Sequence, residues 1–239
     1  TSAGVALSGP VALLMAGQWR LAFAAFAAVA IILAFAAAFA LPNTGSDTDS
    51  AGFPPMTATI LRLIAASFLM GAASTALWSF GGQIVLERLG WGPTGTGMIW
   101  SAIGAGGIAG AWTGSLVKRF GLDAVHWTFL GFMSAGILAV GLGPAIPAIV
   151  LAGGAFFGAS YVILTGVYLI WGVRALPERP ATGLMIGFLT IAIGQTAGSP
   201  VFGLVLEEAD LKTAVSGFAI IALIAGAFRA RSATVVASG

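Results

Sequence analysis

The sequence predicts an all-α membrane protein, a polytopic bundle of eight transmembrane helices. Three observations predict it. Of 239 residues, 59% are hydrophobic and only 8% are charged, whereas a soluble domain carries about 25% charged residues. Mean hydropathy is +1.03, and the apolar residues run in stretches close to the ~20 residues that cross a hydrocarbon core as helix. The breaks between stretches are short and hold most of the charge. Open sheet is excluded inside lipid because edge N–H and C=O groups would find no partner, and the stretches are too long and continuous for barrel strands.

The expected spans fall near residues 2–17, 21–41, 58–86, 94–117, 125–143, 147–173, 181–206 and 213–228. Pro10 lies within the first span and should kink it. The second has no polar side chain between Leu21 and Leu41, so it should sit at the periphery facing lipid. Pro42 to Pro55 is polar and rich in Gly, Ser and Pro, the one linker-like segment. Pro93, Pro147 and Pro180 each open a span, where a missing N–H costs nothing. The fourth span carries Gly106, Gly110 and Gly114 at four-residue spacing, and the seventh carries Gly183, Gly187, Gly194 and Gly198. Small residues at this spacing mark helix contacts in lipid. Pro200 lies inside the seventh span and should kink it. Gly9-Pro10-Val11 and Ser199-Pro200-Val201 are loosely alike, as in a parallel repeat.

Alternating spans place Arg62, Lys118, Arg119, Arg174, Arg179, Arg229 and Arg231 on one side. Arg20, Arg88 and Lys212 fall on the other. The excess of basic residues makes the first side cytoplasmic, with both ends of the segment inside. The expected organisation is two helices over 1–41, a cytoplasmic loop over 42–57, a six-helix bundle over 58–228 and a cytoplasmic tail over 229–239.

Several function classes drop out. No Cys and one His make thiol catalysis, zinc and haem improbable, and no cofactor or metal is expected. A net charge of +2 without clustered basic residues gives no case for nucleic acid. Phosphate-loop, zinc-protease and nucleophile-elbow motifs are absent, so no catalytic residue is assigned and an enzyme is not expected. Gly104-x-Gly106-x-x-Ala109 copies a dinucleotide fingerprint in spacing only, inside an apolar span. No Asp, Glu, Lys or Arg lies near the middle of any span, which disfavours a strongly charged ligand.

Two faces collect polar and aromatic groups. The third span places Thr75, Trp78 and Ser79 together with Gly71 and Gly82, and Gln83 lies at the edge. The sixth span places Tyr161, Thr165 and Tyr168 together, with Trp171 at the edge. Hydroxyls and rings on facing helices could hold a neutral or amphipathic organic molecule, with Gln195 as a further contact. The alternative is that Thr and Ser bond within their own helices, Gln195 bonds a neighbouring helix, and Tyr168 and Trp171 sit in the interfacial aromatic belt. His126 reads as an interfacial anchor, with a proton-sensing role as the alternative.

The order of these motifs resembles the major facilitator superfamily (MFS). Gly9-Pro10 followed by Trp19-Arg20 resembles the fifth helix and its exit loop, and the acidic linker resembles the central loop between two six-helix halves. Gly114-Ser-Leu-Val-Lys118-Arg119-Phe-Gly121 resembles the second copy of the family's cytoplasmic loop motif, with Lys118 where the motif has Asp. Pro177-x-x-Pro180-Ala-x-Gly183, then Gly194-Gln195-x-x-Gly198 and Gly203, resembles helices ten and eleven. Leu13-Leu14 replace the Gly pair of the antiporter version of helix five.

The resemblance implies helices five to twelve of an MFS-type secondary transporter in a bacterial plasma membrane, with the first four helices missing from this segment. It implies alternating access around a central cavity lined by the third and sixth spans, and a gating loop of Gly114, Lys118, Arg119 and Gly121. The expected partners are a small-molecule solute, the lipid bilayer, a coupling proton and the missing helices, with export suggested by Gly9-Pro10. A non-transporting scaffold or complex subunit is the competing expectation.

Overall fold

The computed structural model describes residues 19–40 and 56–230. The expected first span, Pro10, the segment 41–55 and the tail from 231 lie outside the described residues. Every regular element among the described residues is helical.

Helix α1, Trp19–Ala40, is apolar after Arg20, and its described side chains are exposed: Ile32 is 66% exposed and Phe39 86%. Helix α2, Ala58–Trp78, starts at Thr57, whose Oγ1 accepts the Ile60 N–H at 3.4 Å. The expected single span over 58–86 divides at Ser79–Phe80 into α2 and a short α3, Gly81–Leu89. Phe80 adopts φ −115°, ψ −1°, in the sparsely occupied bridge region, and its ring packs on Phe202 at 4.6 Å between centroids. Gly90 ends α3 at φ +65°, a conformation that favours glycine.

The expected span over 94–117 is also composite: α4, Pro93–Gly107, a 3-10 segment, Ile108–Trp112, and α5, Thr113–Phe120. The run Gly104-Ala-Gly106-Gly107 has weak helix propensity, and the Ile108 N–H is shared between the Ala105 and Gly106 carbonyls. Close packing selects these residues. A Cβ on Gly106 would strike the Ala155 carbonyl of α7, and one on Gly158 would strike the Ile103 carbonyl of α4. Gly114, the third member of the stripe, has open space around it and makes no such crossing.

Gly121 at φ +85° turns the chain into α6, Leu122–Gly141. Then follow α7, Pro147–Ala175, and α8, Pro180–Glu208, which contains Pro200. The last is α9, Leu211–Ala225. The Asp210 carboxylate caps α9, accepting from the Thr213 N–H at 2.6 Å. Hydrogen bonds from Thr213 hold its pKa below the usual carboxylate value.

Four helices, α2, α6, α7 and α8, are long and apolar enough to cross a membrane, which makes this a helical membrane protein. Eight such spans were expected. The difference lies in the 3-10 break, in α9 with only 15 residues, in α1, where the apolar stretch identified is Ala27–Ala36, and in the first span outside the described residues.

Five helices close a ring in the order α2, α8, α7, α6, α9 and back to α2, while α4 packs against α7. Leu63, Met70 and Leu77 from α2 meet Leu130 and Ile137 from α6, Phe157 and Leu164 from α7, Phe202 from α8 and Phe218 from α9 in one core. The α2–α8 crossing brings backbones together, since a Cβ on Gly194 would collide with the Phe68 carbonyl. At the far end of α6, the Arg88 guanidinium donates to the Val140 and Gly143 carbonyls. A cation there satisfies acceptors that a helix C-terminus leaves open.

Candidate functional site

A cavity of about 370 Å³ lies where α2, α4, α7 and α8 converge. One face of α7 supplies Gly158, Tyr161, Val162 and Thr165, spaced three and four residues apart. Trp78 closes one side from the end of α2, Ile103, Gly104 and Gly107 come from α4, and Phe188 and Gln195 from α8. Trp78 is held in an aromatic cluster, 5.1 Å from both the Trp100 and Tyr161 ring centroids and edge-on to Phe157 at 6.2 Å. Tilted and edge-to-face arrangements of this kind fix ring orientation.

The polar groups of the cavity have an identifiable division of labour. The Gln195 amide donates to Ser74 Oγ at 3.1 Å and to the Tyr161 hydroxyl at 3.2 Å, joining α8 to α2 and α7. The amide orientation is assigned from these bonds. Both amide hydrogens are used, while the Gln195 carbonyl oxygen has no partner among the described residues and remains an acceptor. Trp78 Nε1, a buried donor, also has no partner there. The Thr165 hydroxyl donates to the Tyr161 main-chain oxygen at 2.9 Å, and its side chain also hydrogen-bonds the Tyr161 phenol. No side chain that is charged at neutral pH lines the cavity. It can therefore hold an uncharged molecule, whereas a bare charge there would go unpaired at high cost.

Of the residues selected from sequence, Trp78, Tyr161, Thr165 and Gln195 come together in this cavity. Thr75 and Ser79 do not line it. Thr75 is buried and donates to the Ala72 carbonyl at 2.7 Å, within its own helix. Ser79 is exposed at the end of α2. Tyr168 faces a separate, closed pocket of packing. Its hydroxyl donates to the Ala66 carbonyl at 3.3 Å and so accepts from His126 Nε2 at 2.9 Å. His126, expected at the interface, is fully buried, with its ring edge-on to Tyr168 and Trp171. Trp171 is likewise buried. Lys118 and Arg119 are exposed in the last turn of α5, and Arg119 lies over the Phe120 ring at 5.2 Å. Gly114 and Gly121 flank that turn.

Sequence reasoning missed Gly158, Val162 and Phe188 and, on α4, Ile103, Gly104 and Gly107 as cavity residues. The first two carry a readable signal, because 158, 161, 162 and 165 share one helical face. Phe188 carries none, since its part depends on how α8 crosses α7. Among the described residues no group of acidic or His side chains could hold a metal ion. No family model, curated protein or solved structure matches the chain.

Proposed function

We propose that the chain is the larger part of a secondary transporter of the MFS type, and that the cavity beside α7 binds a small neutral or amphipathic organic solute. The observation that carries this reading is the composition of the cavity: aromatic and aliphatic walls, the Gln195 amide and the Tyr161 and Thr165 hydroxyls as its polar groups, and no residue that is charged at neutral pH. Apolar pockets with a few convergent polar groups are the usual form of small-molecule sites. The composite α4–3-10–α5 segment, 28 residues from Pro93 to Phe120, is read as one further crossing, and α1 and α9 as two more. The cytoplasmic side is read as the one bearing Arg62, Lys118, Arg119, Arg174 and Arg229. Rocking of two bundles would expose the cavity to each side in turn, with export as the favoured direction.

The test is a binding screen on the full-length protein in proteoliposomes, followed by counterflow of any hit. Expected is a neutral solute whose affinity falls about tenfold in Gln195→Leu, the loss of roughly one buried hydrogen bond, while the variant stays folded. Transport unchanged in Gln195→Leu, Tyr161→Phe and Trp78→Phe would place the solute elsewhere. The intact native mass is a second check. Four further helices would add about 120–160 residues, and a mass without them would favour a scaffold or an oligomeric carrier.

A further inference from the structure

A second concavity lies at the opposite kind of environment, the charged end of the bundle. A cleft of about 540 Å³ is lined by Arg62 near the start of α2, Asp123 and Trp127 in the first turns of α6, and Ala227 and Arg229 just after α9. Neither the Arg62 nor the Arg229 guanidinium has an ion-pair or hydrogen-bond partner among the described residues. Arg229 lies over the Trp127 ring at 5.9 Å. The single carboxylate in the cleft is already engaged, because Asp123 Oδ1 accepts the Ala230 N–H at 2.9 Å. That bond pins the chain after α9 to the start of α6 and so places Arg229 at the rim. A neighbouring cleft of about 560 Å³ shares Asp123 and adds Arg174, so the local balance is three guanidinia against one carboxylate.

The depth of the cleft selects the ligand. Arg62 and Trp127 belong to the first turns of two helices that are long and apolar enough to span a membrane. Trp127 is 42% exposed, where an indole would meet the boundary between hydrocarbon and headgroups. Guanidinium groups pair with phosphate oxygens in a planar, two-pronged geometry, and at this depth the abundant phosphates are those of lipids. We propose that the cleft formed by Arg62, Trp127 and Arg229 binds the phosphate headgroup of an anionic phospholipid. The assignment is independent of what the central cavity carries, and of which side of the membrane this end faces.

The test uses the full-length protein extracted from vesicles of phosphatidylcholine with a minor share of phosphatidylglycerol, with bound lipid counted by native mass spectrometry. Expected is several-fold enrichment of phosphatidylglycerol on the protein. The double variant Arg62→Gln/Arg229→Gln should abolish that enrichment, because it removes two interfacial cations. Lys212→Gln, at the other end of the bundle, should keep it. Circular dichroism and melting of the double variant establish that it is folded. A single Arg229→Gln, outside any helix, gives the same reading if the double variant is not. No enrichment in the wild type, or enrichment unchanged in folded variants, overturns the proposal. Protection by millimolar inorganic phosphate equal to that by the lipid would assign the cleft to a soluble anion, and preference for phosphatidylethanolamine would overturn the anionic class.

Discussion

The two tyrosines of this chain sit seven residues apart on one face of α7, yet their hydroxyls serve different purposes. Tyr168 is sealed: it is fully buried, it bridges His126 of α6 and the Ala66 carbonyl of α2, and it ties three helices of the ring together. Tyr161 is half-buried, accepts one bond from Gln195 and lines a cavity. A polar group whose partners are all supplied by the protein defines packing. One that leaves donors and acceptors nearby open can define a ligand. The lesson is that residue type and helical face do not separate the two roles, whereas completeness of hydrogen bonding does.

The comparison can be broken most severely by truncation. Tyr168→Ala should lower stability by about 3–5 kcal/mol, the cost of emptying a packed aromatic site. Tyr161→Ala should cost less than half as much because that ring already borders a cavity. Melting temperatures in one detergent, with equal losses for the two variants, would abolish the distinction.

Removing hydroxyls alone is a finer test. Tyr168→Phe leaves His126 Nε2 buried without its partner, a loss of about 1–3 kcal/mol. His126→Leu should be milder, since Tyr168 keeps the Ala66 carbonyl. Tyr161→Phe should change stability by less than about 0.5 kcal/mol, since Gln195 retains Ser74, which is typical of interhelical bonds in lipid. Chemical unfolding in mixed micelles would order the three, and Tyr161→Phe proving the most damaging would reverse the argument.

Accessibility gives the smallest and cleanest difference. The chain has no cysteine, so a single introduced thiol reports one position. A maleimide should modify Thr165→Cys roughly tenfold faster than Ser160→Cys, which lies on the same helix but fully buried, because thiolate reactivity follows exposure. Equal rates would mean that the cavity is closed to small molecules.

Membrane character was legible from hydropathy and charge placement alone, and so were the starts of α7 and α8, since Pro147 and Pro180 mark them. Three cavity residues, Trp78, Tyr161 and Thr165, were legible from helical faces, and Gln195 as a polar side chain within an apolar span. What escaped was anything set by contacts distant in sequence. Nothing near His126 announces a partner 42 residues later, so a solitary His at a helix start reads as interfacial. The division of two spans into shorter helices escaped for a related reason. Phe80 leaves the helical region where its ring meets Phe202, and the glycine run after Ile103 follows the surface of α7; neither constraint is visible in hydropathy.

The five 3-10 residues Ile108–Trp112 give the molecule a screw. A 3-10 helix advances about 2.0 Å and turns about 120° per residue, against about 1.5 Å and 100° for an α-helix. Rewinding that segment as α-helix would rotate α5 by about 100° and draw it in by about 2.5 Å relative to α4. The motion would sweep Lys118 and Arg119 around the helix axis while leaving the packed crossing at Gly106 in place. A spin-label pair on α5 and α7 would read that displacement, and an unchanging distance in every liganded condition would make the segment a fixed spacer.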